Sequence, residues 1–344
     1  MNIFKKIIPF MASTALSTTL LANTTPFYIG SDTPQASTFS LKQLDSGKNI
    51  ATQENLWYLD FYQQAEEELC FVHVTKVLAN GRSPFQEYTV IDTKNFGKVL
   101  LIDGEVQSAQ IDEHIYHESF IHPAMVAHPN PKSVLVIGAG EGATAREILK
   151  HPSVERLVLV DIDGDVIQAV KQHLPEWHQG TFDHPKTELL IMCGKEFVEK
   201  TNEKFDVIYI DICDKLVKDS PVTELYSPKF YASVKKILSQ NGILALQAMQ
   251  LFPEMEGHLS IISNLKQVFP CVETGGAYIP SFVAMWGFAF ASNQPICTKL
   301  SSETVDSILD KRNLSNKLNH YDGETHRNLF SLPKGIRQVI QENS

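Results

Sequence analysis

The sequence has few of the features that mark disulfide-rich, zinc-binding or nucleic-acid-binding proteins. Its 344 residues include five cysteines, an odd number, and none are spaced as C-x-x-C, so neither a disulfide framework nor a zinc site is indicated. Acidic residues outnumber basic ones, 40 to 30, and the net charge of −10 argues against a partner with a phosphate backbone. A cationic partner is compatible with this charge, which does not by itself establish one.

The N-terminal segment is too short for a comfortable membrane span. Lys5 and Lys6 precede residues 7–22, an apolar run that is interrupted by Ser and Thr. This pattern is typical of a secretory signal with cleavage after Ala22, while an uncleaved helix of a cytosolic enzyme is the other interpretation. Both stay open. Residues 23–68 begin with a stretch rich in Ser, Thr, Pro and Gly and are predicted to be an extended or poorly ordered extension.

Two structural regions are predicted after this extension. Residues 69–127 contain short β-rich runs broken at Asn80-Gly81, residues 95–97 and Asp103-Gly104, which indicates a small antiparallel sheet of hairpins, and residues 112–127 follow as a helix. In residues 131–295 strands alternate with helices, which predicts an α/β fold with a doubly wound, Rossmann-like sheet of the methyltransferase type. Residues 296–344 are interpreted as a polar tail. The strands predicted for the parallel sheet are residues 134–137, 157–160, 188–192, 206–210, 243–247 and 286–291.

The stretch SVLVIGAGEGATAREILK, residues 133–150, carries the strongest local signal. An apolar strand ends in three alternating glycines, Gly138, Gly140 and Gly142, and a helix-forming segment follows. The spacing differs from the dinucleotide fingerprint G-x-G-x-x-G, and a tight turn without a ligand is the alternative interpretation. Glu141 lies within the turn. An acid is unfavourable for a pyrophosphate site and therefore indicates a cationic partner.

Acids also follow the other predicted strands. Asp161 and Asp163 end the second strand, and Asp211 and Asp214 end the fourth. Asp161 lies near the spacing at which a carboxylate reaches a ribose diol. One such acid is ordinary helix capping, but several acids at one sheet edge need a counter-ion. A polyamine is favoured over a metal, because no His, Asp and Glu spacing resembles a ligand set.

Several motifs together resemble the polyamine aminopropyltransferases, the spermidine synthase family. These motifs are Gln86, LLIDGEVQ, DEHIYHE, GAGEGATAREILKHPSVE, LVDID, DVIYID and AYIPSF, with Tyr321, His326-Arg327 and Leu332-Pro333 near the C-terminus. They are most similar to the thermospermine-synthase-like and triamine/agmatine branches. The resemblance implies transfer of an aminopropyl group from decarboxylated S-adenosylmethionine to an amine, with release of methylthioadenosine. Because the donor is a co-substrate, no cofactor is expected. The resemblance also implies no metal, no nucleic-acid partner and no membrane partner. It implies a homodimer or a homotetramer.

The family's site residues carry over onto matching positions. Asp211 matches the base that deprotonates the attacking amine. Donor-binding positions are implied at Gln86, Gly138, Gly140, Asp161, Cys193, Gly194 and Pro221, and acceptor-binding positions at Tyr116, His117, Glu141, Asp211, Asp214 and Tyr278. Gln247 is a further residue that either lines the site or belongs to the core.

Two departures keep other functions open. Relatives have Asp where this chain has Cys193, and a thiol accepts hydrogen bonds poorly. Lys215 and Lys218 occupy a segment where relatives have a Gly-rich loop. Two alternatives stay open. One is a polyamine-binding homologue with weakened catalysis that is exported to the periplasm or secreted, and the other is an S-adenosylmethionine-dependent methyltransferase. An active aminopropyltransferase is expected in the cytoplasm, where its donor is made.

Overall fold

The computed structural model describes residues 27–30, 40–43, 56–61, 69–212 and 221–343. Their first sheet is antiparallel and has the strand order β2-β1-β3-β4-β5-β6-β7. Its strands are β1 (Phe27–Gly30), β2 (Ser40–Gln43), β3 (Leu56–Phe61), β4 (Leu69–Arg82), β5 (Glu87–Thr93), β6 (Gly97–Ile102) and β7 (Glu105–Ala109). The hairpins predicted after residue 69 are confirmed. The first three strands come from the segment interpreted as an extension, so part of that segment belongs to the sheet.

The predicted break at Asn80-Gly81 is wrong, because β4 continues through both residues to Arg82. A side chain at Gly81 would overlap the ring of Tyr88 on the neighbouring strand, so glycine here makes room for an aromatic residue. The chain turns instead after Ser83, whose hydroxyl accepts hydrogen bonds from the backbone N–H groups of Phe85 and Gln86.

The second sheet has the Rossmann-like topology that the sequence predicts. Its order is β10-β9-β8-β11-β12-β14-β13, with the first five strands parallel and the last two antiparallel to their neighbours. The strands are β8 (Ser133–Ile137), β9 (Arg156–Asp161), β10 (Thr187–Ile191), β11 (Phe205–Ile210), β12 (Leu238–Phe252), β13 (Cys271–Ile279) and β14 (Ala284–Ser292).

Helices cover both faces of this sheet, which explains the nearly continuous apolar runs of its central strands. They are α1 (Glu113–Ala127), α2 (Ala143–Leu149), α3 (Gly164–His173), α4 (Pro175–His178), α5 (Gly194–Lys200), α6 (Pro221–Glu224), α7 (Pro228–Ile237), α8 (Glu256–Lys266), α9 (Ser302–Lys311), α10 (Gly323–Phe330) and α11 (Lys334–Glu342). Helix α1 joins the two sheets and is buried over most of its surface.

Strand β13 was missed because Gly275 and Gly276 interrupt its apolar pattern. A side chain at Gly275 would press on Leu329, and one at Gly276 on Leu251 and Leu332. The glycines therefore let the C-terminal helix α10 and its flanking residues approach the strand backbone closely.

Residues 296–344, interpreted as a polar tail, contain the helices α9, α10 and α11. Glu118 of α1 is buried and accepts hydrogen bonds from the backbone N–H groups of Asn319, His320 and Tyr321. The Tyr321 hydroxyl lies 2.7 Å from His326 Nδ1. The Tyr and His motif near the C-terminus therefore anchors the C-terminal region to the core.

Among the residues that the structure describes, no helix combines the length and apolar character that a membrane crossing requires. Within the same residues, no group of three or more His, Cys, Asp or Glu side chains is arranged to hold a metal ion. The signal-like segment, residues 1–22, lies outside the described residues.

Candidate active site

The glycine turn after β8 requires backbone conformations that other residues rarely adopt. Gly138 has φ of 88° and Gly142 has φ of 76°. A side chain at Gly138 would overlap the backbone carbonyl of Asp211, and one at Gly142 would overlap His178 and Phe182. Around Gly140, by contrast, there is open space. The turn therefore brings the ends of β8 and β11 together and leaves its middle glycine facing a gap.

Asp161, at the end of β9, forms a hydrogen bond with the backbone of this turn. Its Oδ2 accepts a hydrogen bond of 2.8 Å from the N–H of Gly140, and its Oδ1 accepts one of 2.8 Å from the N–H of Asp163. Burial raises the pKa of Asp161, and backbone hydrogen bonds from Asp163, Gly140 and Ala139 oppose that rise. The carboxylate has four lone pairs, so an acceptor site for the predicted ribose hydroxyl remains.

Asp163 links the two sheets, a role that the sequence analysis did not assign. Its Oδ1 accepts from the N–H groups of Asp165 and Val166 and so caps α3. Its Oδ2 accepts a 2.5 Å hydrogen bond from the Ser83 hydroxyl and a 2.9 Å hydrogen bond from Gln86 Nε2. Gln86 thus lies beside the Rossmann-like sheet with one N–H of its amide engaged, which leaves its carbonyl oxygen and its second N–H to offer a ligand.

The other predicted donor positions lie along the same strand ends. Cys193 follows β10 and precedes α5, and it is half-buried. A side chain at Gly194 would overlap Ile137, so this glycine allows α5 to pack closely against β8. Pro221 begins α6, and its side chain lies outside the part of the chain that is described.

Asp211 lies directly after β11 and is held by two hydroxyl groups. The Tyr116 hydroxyl donates a 2.7 Å hydrogen bond to its Oδ1, and the Thr144 hydroxyl donates a 2.6 Å hydrogen bond to its Oδ2. Burial raises the pKa of Asp211, while the nearby charge of His117 and the two hydrogen bonds oppose that rise. A half-buried, oriented carboxylate with a raised pKa is suited to accept a proton. Thr144 had no sequence signal beyond its place in the motif.

Glu141 and His117 lie next to this carboxylate. His117 Nε2 is 2.8 Å from Glu141 Oε1, and His117 Nδ1 is 2.9 Å from Glu113 Oε2. Burial raises the pKa of Glu141, which the charge of His117 opposes. The sequence analysis named Glu141 and His117 but missed Glu113, which lies one helical turn before His117.

The remaining predicted residues are placed differently. Tyr278 is 55% exposed near the end of β13. The aromatic rings against Tyr116 include those of Phe282 and Phe288, at 5.9 and 5.4 Å between ring centroids. Gln247 is buried and donates to the Ile212 carbonyl and the Tyr226 hydroxyl, so it supports the segment after Asp211. Asp214, Lys215 and Lys218 lie outside the described residues.

The chain is similar to known proteins over most of its length. Residues 113–301 match the spermine/spermidine synthase domain, and residues 56–110 match the spermidine synthase tetramerisation domain. A polyamine aminopropyltransferase of Sulfurisphaera tokodaii is 40% identical over 84% of this chain and 95% of its own length. One of Saccharolobus solfataricus is 42% identical over 78% of this chain and 88% of its own.

Solved structures agree with these relatives. Spermidine synthase from Thermotoga maritima superposes with a TM-score of 0.75 at 29% identity, covering 86% of this chain and 97% of that one. A spermidine synthase in complex with the transition state analogue AdoDATO superposes with a TM-score of 0.77 at 30% identity, covering 86% and 98%. The resemblance seen in the motifs is therefore confirmed, and the chain belongs to the spermine/spermidine synthase family of aminopropyl-transferring enzymes.

Proposed function

We propose that this enzyme transfers the aminopropyl group of decarboxylated S-adenosylmethionine to a polyamine, with Asp211 as the base. The observation that carries the proposal is the half-buried Asp211 carboxylate, which Tyr116 and Thr144 hold at the sheet edge beside the glycine turn. A carboxylate in this position is within reach of both a nucleoside in the turn and an amine beside Glu141.

The chemistry requires such a base. An aliphatic amine resembles lysine, with a reference pKa of about 10.4, and is protonated at neutral pH. Its nitrogen has no free lone pair until a proton moves to Asp211. The nitrogen then forms a bond to the propyl carbon beside the sulfonium, the C–S bond breaks, and its electron pair stays on sulfur as neutral methylthioadenosine. The proton leaves Asp211 for water after the product departs.

The two sides of the proposed cleft separate the substrates. Gly138, Gly140, Asp161, Gln86, Cys193, Gly194 and Pro221 are proposed for the donor. Tyr116, Glu141, Asp211, Asp214 and Tyr278 are proposed for the acceptor, with putrescine, agmatine and longer polyamines as the class. A cytoplasmic location and a homodimer or homotetramer complete the proposal, and the match of residues 56–110 to a tetramerisation domain supports an oligomer.

The test is turnover by the purified full chain. Decarboxylated S-adenosylmethionine is mixed with putrescine, agmatine or spermidine, and mass spectrometry follows methylthioadenosine and an acceptor heavier by one aminopropyl group. S-adenosylmethionine serves as the comparison donor. Methylation of the amine, or binding of polyamine without release of methylthioadenosine, would contradict the proposal and favour a methyltransferase or a binding protein.

A further inference from the structure

His117 is surrounded by hydrogen-bond acceptors on both sides of its ring. Nδ1 lies 2.7 Å from the backbone carbonyl oxygen of Glu113 and 2.9 Å from Glu113 Oε2. Nε2 lies 2.8 Å from Glu141 Oε1. A neutral imidazole carries one N–H, so one ring nitrogen would present a lone pair to a carboxylate oxygen. The imidazolium, which donates from both nitrogens, satisfies both carboxylates while they are ionised.

The surroundings stabilise that charge. Burial disfavours a charged imidazole, but the hydrogen bonds and negative charges of Glu113 and Glu141 outweigh it and raise the pKa of His117 to about 10. The charged groups that face the ring are Glu113 from its own helix, Glu141 from the turn before α2 and Asp211 from the end of β11. The ring of Tyr116 packs edge-on at 5.1 Å.

Glu113 also forms an ion pair with Arg146 of α2. Arg146 Nη2 donates a 2.7 Å hydrogen bond to Glu113 Oε2, and its Nη1 donates to the Trp177 carbonyl at 2.9 Å. Burial opposes ionisation of Glu113, yet His117 and Arg146 lower its pKa to about 2. A continuous ion-pair chain therefore runs from Arg146 through Glu113 and His117 to Glu141.

Glu141 is the end of this chain that faces the proposed acceptor side. Its Oε1 accepts from His117, whereas its Oε2 is buried and has no hydrogen-bond partner in the described part of the chain. A buried carboxylate oxygen without a donor is unfavourable, so a missing ligand donor is the expected partner. An ammonium group has the required charge and three N–H donors.

We propose that Glu113 and His117 are positioning residues: they hold the carboxylate of Glu141, already proposed for the acceptor, as an oriented anion whose Oε2 is left for the ammonium group. This inference rests on the proposed function and differs from the expectation that His117 contacts the amine, since both ring nitrogens are occupied. The acceptor meets Glu141, and His117 acts through it.

The test measures initial rates with the variants Glu113→Gln, Glu141→Gln and the double variant. Glu113→Gln keeps the size of the side chain but removes the charge that supports the imidazolium. Loss of a charge-assisted contact is worth roughly a tenfold to hundredfold change in affinity. The acceptor KM is expected to rise by that factor in each single variant, with the donor KM within about twofold of the wild-type value. In the Glu141→Gln background, Glu113→Gln is expected to raise the acceptor KM no further, because Glu113 affects the acceptor only through the charge of Glu141.

Glu147→Gln is the matched control. Glu147 is more deeply buried than Glu113 and also pairs with Arg146, but it contacts His122 and Lys150 instead of His117. It is expected to leave the acceptor KM unchanged. An equal rise in Glu147→Gln, additive effects in the double variant, or a rise confined to the donor KM would overturn the inference. Absence of aminopropyl transfer by the wild type would instead overturn the proposed function.

A spectroscopic measurement keeps the inference testable independently of turnover. Imidazole nitrogen-15 shifts of the full chain, with His117→Gln to assign the signal, are expected to show both His117 nitrogens protonated at pH 8.5. In Glu113→Gln the same residue is expected to become neutral at that pH. A neutral His117 in the wild type would overturn the inference whatever the kinetics.

Discussion

The two sides of the proposed cleft are built in different ways. On the donor side, Asp161 binds backbone: it accepts from the N–H groups of Gly140 and Asp163 within a short βαβ unit. The neighbouring Asp163 adds side-chain contacts with Ser83 and Gln86. On the acceptor side, side chains bind side chains across long stretches of sequence, such as Tyr116 and Asp211, which are 95 residues apart. The acceptor side is also where burial raises the pKa of the reacting carboxyl group.

The donor side is therefore expected to recognise its substrate by shape, and the acceptor side by charge. A nucleoside is held by a backbone loop that only certain residues can form, so changes there should alter donor affinity. A polyamine is a flexible chain of like charges, so its side of the cleft depends on carboxylates whose ionisation is controlled by neighbours. Substitutions on one side should therefore affect one substrate, except where the two sides touch.

The largest effect is expected for Asp211→Asn. The amide has almost the same shape and can still accept a hydrogen bond, but it cannot take a proton from the amine. Loss of a general base typically costs about 10²- to 10⁴-fold in rate, so kcat should fall by that factor with little change in either KM. The measurement is release of methylthioadenosine under saturating substrates.

Asp206→Asn is the control, because Asp206 lies at the other end of the same strand and binds the N–H groups of Lys132 and Ser133. It should affect stability more than kcat.

In the wild type, kcat should fall as the pH is lowered and Asp211 becomes protonated. The fall should begin above the usual pH range of a carboxyl group, because burial raises the pKa of Asp211. An unchanged kcat in Asp211→Asn would remove this residue from the mechanism.

The next effect tests the point where the two sides meet. In Gly138→Ala the new methyl group would overlap the Asp211 carbonyl at a backbone φ of 88°. The free energy of unfolding should fall by roughly 1–3 kcal/mol, and kcat should fall as Asp211 shifts. Gly140→Ala is the comparison, since no atom lies near its added methyl group. It should lose less stability and mainly raise the donor KM. Equal stability loss in both variants, measured by chemical denaturation, would contradict the steric explanation.

The same contrast explains what could be predicted from sequence. Strands β8, β9 and β11 and the glycine turn follow from local patterns, and so do Asp161 and Asp211 as strand-end acids. Glu113, Thr144 and Asp163 acquire their roles only when helices α1, α2 and α3 pack together, and an ordinary helical Glu or Thr carries no signal for that. Strand β13 was not predicted for a similar reason: its glycines make room for residues of the distant C-terminal region, which the local sequence does not reveal.

Asp161→Asn should break the donor side alone. An amide in place of the carboxylate brings an NH₂ group against the N–H of either Gly140 or Asp163, so one backbone donor loses its acceptor. The expected result is a donor KM raised roughly tenfold to hundredfold, with the acceptor KM unchanged. Asp165→Asn is the control, because Asp165 is exposed in the first turn of the same helix. A comparable rise in the acceptor KM would show that the two sides are not separate.

The smallest effect, and the one in the opposite direction, is expected for Cys193→Asp. Cys193 lies between β10 and α5 on the donor side and does not cap α5 with its side chain. A carboxylate there could accept a hydrogen bond from the adenine amino group, which a thiol does poorly, and the donor KM should fall up to about tenfold. Cys193→Ser separates two causes, because Ser and Asp both cap helices and should both raise stability by roughly 1 kcal/mol. If only Asp lowers the donor KM, the carboxylate acts on the base. If Ser lowers it equally, better ordering of α5 is sufficient, and the donor side is limited by the stability of its helix.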